Sequence, residues 1–165
     1  MTPQSVNTYI RTQGIIAAVV NMALNPLLAW LVNPRMKYMT LAGDHSIIID
    51  AAVTSVVLSL LVSLFVTAAV RRDTKTGGID FAGGLSEEGR LLSRLPRRAW
   101  ALGLVLGSGV ALVLVVLIFT LSRLLGVQGV TFVRYVMFKA AYTGLLGYVV
   151  TRWVVIRQLP LAVRK

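Results

Sequence analysis

Residues Ile47–Val70 read IIIDAAVTSVVLSLLVSLFVTAAV, 24 positions carrying a single charge, Asp50. At 1.5 Å per residue a helix of that length covers about 36 Å, more than the roughly 30 Å hydrocarbon core of a bilayer. Three further apolar stretches flank it: Gly14 to Val32, Ala101 to Leu121, and Val130 to about Ile156. A backbone in lipid must satisfy its hydrogen bonds internally, so each stretch is expected to be a helix. The fold class that follows is all-α, an integral membrane four-helix bundle. Residues 1–165 form a single membrane domain with spans at about 14–32, 47–70, 101–121 and 131–155 and a loop over residues 71–99.

Composition agrees. Hydrophobic residues make up 56% and charged residues 14%, a balance that a water-solvated fold of this size could not cover. There is no cysteine, which excludes disulfides, a thiolate nucleophile and cysteine-ligated metal. The net charge of +11 does not point to nucleic acid, because the basic residues flank apolar spans and no stacking aromatics alternate with them.

Lys and Arg outside the apolar stretches also set the threading. With the N-terminus in the cytoplasm, 12 of them fall on the inner side, seven of these between Arg71 and Arg98, and five on the outer side. That bias places both termini and the 71–99 loop in the cytoplasm. Trp100 and Trp153 then lie near inner ends, and Trp30, Tyr38 and Tyr135 near outer ends, where amphipathic rings prefer to sit. The first span ends at Val32-Asn33-Pro34 without a small-residue cleavage site, so it is expected to be retained.

Within the loop, Asp73 through Gly84 is glycine-rich and polar and reads as a linker; its paired glycines lack the Gly-Lys-Ser/Thr ending of a phosphate loop. From Ser86 the pattern changes. Ser86 can cap a short helix, Glu87 and Glu88 suit its first turn, Leu91, Leu92 and Leu95 form an apolar side, and Pro96 ends it. This is expected to be an interfacial amphipathic helix. Arg90, Arg94, Arg97 and Arg98 would face anionic lipid headgroups or a partner protein, or serve only to set topology.

Inside the spans, Ala51, Ser55, Ser59, Ser63 and Thr67 recur every four positions, as do Ala99, Gly103, Gly107 and Ala111. Such strips let helix backbones approach closely and read as packing seams, and Gly144 and Gly147 read the same way. Other polar residues cost more in lipid. Asn21 and Asn25 share a helix face, and Pro26 leaves the carbonyl of Met22 without its N–H, making a polar notch that could hold a solute or glue helices together. Asp50 and Lys139 lie at similar depth in the outer half, with Tyr135, Tyr142 and Thr143 on the Lys139 side of its helix. An Asp50–Lys139 pair is the expected arrangement, with Asp50–Arg134 or outward snorkelling as alternatives. If the pair lies near the asparagines, Asn21, Asn25, Asp50, Lys139, Tyr142 and Thr143 form one candidate substrate- or ion-binding pocket.

His45, the sole histidine, has no convergent ligand set, and no catalytic serine, carboxylate pair or zinc motif occurs; neither an enzyme nor a cofactor is expected. Small multidrug exporters match only in size, since no glutamate stands between Gly14 and Val32, and dual-topology fluoride channels conflict with the charge bias. Over about the first 72 residues the chain resembles bacterial membrane proteins catalogued as permeases, through Tyr9-Ile10-Arg11, Asn21 and Asn25, Ala29-Trp30 and Val70-Arg71-Arg72. The resemblance implies a bacterial inner-membrane location and a transport role. Two readings result: a permease component for a small polar or ionic solute, homo-oligomeric because four helices enclose little space, or a non-transporting accessory protein that packs against a partner membrane protein.

Overall fold

The computed structural model describes residues 4–43, 46–77, 79–80, 92 and 94–163. Four long helices dominate them: α1 (Val6–Val32), α2 (Ile47–Lys75), α3 (Ala99–Leu125) and α4 (Phe132–Val163). Each boundary has a local cause. Ser5 and Ser46 accept the backbone N–H of Thr8 and Ile49 and so cap α1 and α2. α3 closes on Gly126, whose left-handed φ of 64° an ordinary side chain would resist.

Three of the helices, α1, α2 and α3, are long and apolar enough to cross a membrane. α4 is longer than any of them, at 32 residues, but it carries Arg134, Lys139, Arg152 and Arg157 and falls outside that set. Its placement accounts for Lys139 and Arg157, which are buried, while Arg134 is exposed. α1 packs on one side of α4 and α2 on another, while α3 packs on α2. α4 therefore presents Tyr135, Lys139, Thr143, Val150, Val154 and Gln158 to protein, and all of them are buried.

The small-residue strips form the α2–α3 interface. A Cβ at Gly103 would meet Leu60 Cα at 2.7 Å and Ser59 O at 2.9 Å, and one at Gly107 would meet Val56 Cα at 2.8 Å. Ser63 Oγ donates across the seam to Ala99 O at 2.7 Å. Gly144 and Gly147 seat α1 instead: a Cβ at Gly147 would lie 2.9 Å from Ala17 O and 2.8 Å from Asn21 Nδ2. In lipid such close approach gains dispersion and short polar contacts, since acyl tails are as apolar as leucine. Leu58, Val62, Leu102, Leu106, Leu146, Val150 and Val154 then fill the space between α2, α3 and α4.

Two features differ from the sequence reading. Residues 71–75, expected in the loop, are the last turn of α2, held by Thr74 Oγ1 donating to Val70 O at 2.7 Å and by the 2.9 Å bond from Tyr9 Oη to Asp73. Arg72 and Lys75 suit the negative end of that helix. Short ribbons also join the helix ends. Gln4–Ser5 pairs in parallel with Ile79–Asp80, and Tyr38–Thr40 pairs antiparallel with Gly129–Thr131. The glycine linker beyond residue 80, Arg90, His45 and most of the helix expected from Ser86 lie outside the described residues; at the end of that stretch Leu95 N donates to Leu92 O at 3.0 Å and residues 94–96 form a turn rather than helix.

Candidate functional site

Asp50 sits in the first turn of α2, where the positive helix end favours a carboxylate. Lys139, on α4, meets it squarely: Nζ lies 2.7 Å from both Oδ1 and Oδ2. The ammonium also donates to Thr54 Oγ1 and Tyr135 Oη, each at 3.2 Å, and lies 5.6 Å from the centre of the Tyr135 ring. Tyr135 and Thr54 in turn donate to Asp50 Oδ2. Every donor on these four side chains has an acceptor within the cluster, which offsets much of the desolvation penalty of a buried ion pair. Lys139 is 5% exposed, whereas the Asp50 side chain keeps 32% of its surface open.

The asparagines are arranged differently. Asn21 donates to Ala17 O at 2.7 Å, and Asn25 donates to Asn21 O at 3.1 Å and Asn21 Oδ1 at 3.2 Å. Both amides are satisfied on their own helix. Thr143 links the two groups through backbone alone, its hydroxyl shared between Lys139 O at 2.7 Å and Asn21 O at 3.0 Å. Tyr142 is buried with its ring 5.2 Å from that of Phe138, and its hydroxyl makes no hydrogen bond among the described residues. Of the six residues expected in one pocket, Asp50 and Lys139 form an ion cluster and Asn21 and Asn25 a separate ladder, while Thr143 bonds to the backbone of both and Tyr142 packs on Phe138. The cause is angular: Lys139 turns toward α2, while the asparagines edge the gap between α1 and α2.

That gap is a groove of about 450 Å³, lined by α1 from Gln13 to Leu28 and by α2 from Thr54 to Ala69. Its walls are mostly apolar, including Ile16, Val20, Leu24, Val57, Leu61 and Phe65, with Gln13, Asn21, Asn25 and Thr54 as polar insertions. The helices run antiparallel along it. The Tyr9–Asp73 bond closes them at one end, on the side of Gln13 and Ala69, with Leu28 and Thr54 lining the other end. No family model, curated protein or solved structure matches the chain. The site is therefore read from its own geometry.

Of the loop arginines, Arg94, Arg97 and Arg98 are exposed. The segment that carries them is pinned from below by two residues whose structural role the sequence reading missed. Arg157 donates to Leu95 O from Nε at 3.2 Å and Nη2 at 2.9 Å, and Gln158 donates to Arg97 O at 3.3 Å. The signal was available: stepping by three or four from Lys139 through Tyr142, Leu146, Val150 and Val154 reaches Arg157 and Gln158 on the same face. Among the described residues no group of acidic, histidine or cysteine side chains is arranged to hold a metal ion.

Proposed function

We propose that this chain is a non-transporting accessory protein of a membrane, a scaffold that works through its lipid- and protein-facing surfaces. One observation carries the reading: the costly polar groups satisfy one another or their own helix, and the groove they border is apolar. A pathway for a polar or ionic solute needs such groups turned toward water. Here the Lys139 donors are all occupied within the protein.

In this proposal α4 is the fourth traverse, with Lys139 sheltered against Asp50 of α2 and Arg157 bonded to the Leu95 carbonyl. The surplus of Lys and Arg favours a cytoplasmic side for the termini and residues 71–99, and the resemblance over about the first 72 residues implies a bacterial inner membrane. Arg94, Arg97 and Arg98 then lie where anionic headgroups concentrate, at about 1 kcal/mol each. Because the chain has no cysteine, single cysteines at positions 94 and 37 can be labelled in intact cells. Position 37 should react with an impermeant maleimide and position 94 should not.

Liposomes containing purified protein test the functional reading. Wild type and Asp50→Asn should both show leak-level flux of ions and small metabolites. Solute-specific flux in wild type that Asp50→Asn abolishes would restore the permease reading. A pull-down in mild detergent should recover a partner membrane protein.

A further inference from the structure

The α1–α2 groove is long for its volume. Gln13 to Leu28, and Thr54 to Ala69, are each fifteen steps of helix, so it runs about 22 Å, most of a bilayer's hydrocarbon thickness. Its volume of about 450 Å³ is spread along the two helices, a channel that an extended acyl chain lying parallel to them can follow.

The two ends differ in charge. At the Thr54 end the nearest ionic groups, Asp50 and Lys139, neutralise each other. At the Gln13–Ala69 end the chain carries Arg11 before the lining of α1 begins and Arg71 and Arg72 after the lining of α2 ends, all exposed. The i, i+4, i+7 line that runs through Phe65 and Ala69 continues to Arg72. Asp73 touches Arg72 at 3.5 Å but spends its other contact on Tyr9, which leaves a surplus of positive charge at this mouth.

We propose that the groove between α1 and α2 is a lipid site. It takes an acyl chain of an anionic phospholipid along its length and sets the phosphate at the mouth where Arg72 continues the lining face of α2. The amides of Asn21 and Asn25 do not oppose this occupant, since both are bonded to α1 itself. The site explains how two apolar helix faces can stand apart in the membrane without closing: the lipid chain fills the space that side chains do not. It does not depend on whether the protein transports a solute, only on its lying in a bilayer.

Native mass spectrometry of the full chain, with dioleoyl phosphatidylglycerol or dioleoyl phosphatidylcholine titrated in mild detergent, tests it. Wild type should retain one phosphatidylglycerol under conditions that strip phosphatidylcholine. Ala69→Phe and Ala17→Phe, which place a ring in the groove, should each lower that retention about tenfold, an energetic change of the order expected for one displaced large apolar contact. Leu145→Phe, on an exposed position outside the groove, should leave it unchanged. Arg72→Gln should cut the preference for phosphatidylglycerol by about fivefold while still binding a chain. Helicity and thermal unfolding, measured on each variant, must match wild type for the comparison to count, and Ala69→Phe and Ala17→Phe provide independent attempts. Equal retention in the groove-filled variants, no headgroup preference in wild type, or displacement of lipid by a second copy of the chain would each overturn the proposal.

Discussion

Replacing Lys139 by methionine keeps most of the side-chain volume and removes one charge from a network of four side chains. The Asp50 carboxylate would lose its 2.7 Å partner and keep only hydroxyl donors, Tyr135 and Thr54. Removing one member of a buried pair costs about 3–5 kcal/mol when the survivor is fully enclosed. Asp50 retains 32% of its side-chain surface, so solvent screens part of the orphaned charge and the loss should fall nearer 2–3 kcal/mol. The reciprocal change, Asp50→Leu, strands a lysine that is only 5% exposed and should cost the larger amount, about 3–5 kcal/mol. The double variant, with neither charge present, should return to within about 1–2 kcal/mol of wild type. Reversible unfolding in mixed micelles, titrated with a denaturing detergent, measures all four corners of the cycle. Additive single effects, or a Lys139→Met variant within about 0.5 kcal/mol of wild type, would refute the claim that these groups hold each other in place.

Glycine contacts set a second expectation. Gly103→Ala drives a methyl into the backbone of Leu60 and Ser59 and should destabilise by about 1–3 kcal/mol, while Gly109→Ala, with open space around it, should not, as thermal unfolding of the pair will show. Tyr9 is buried and donates to Asp73 at 2.9 Å, so Tyr9→Phe should destabilise by about 1–3 kcal/mol, read by thermal unfolding. Arg157→Gln removes both donors from Leu95 O, so trypsin should cut at Arg94, Arg97 and Arg98 faster in the variant than in wild type, followed by gel and mass analysis.

The sequence alone established what depends on spacing within one helix. Apolar runs longer than a bilayer core identified the solvent of α1, α2 and α3, and four-residue recurrence exposed the Ser55–Ser59–Ser63 and Gly103–Gly107 strips before any partner was known. Depth along two helices brought Asp50 and Lys139 level. Tertiary structure decided which faces meet, because rotation about a helix axis and the choice of neighbour depend on every other helix. That choice turned Gly144 and Gly147 toward α1, placed α4 between α1 and α2, and separated Asn21 and Asn25 from the ion cluster. It also left α1 and α2 apart over about 22 Å. A gap between two helices is a property of their third neighbour, and no pattern within either one records it.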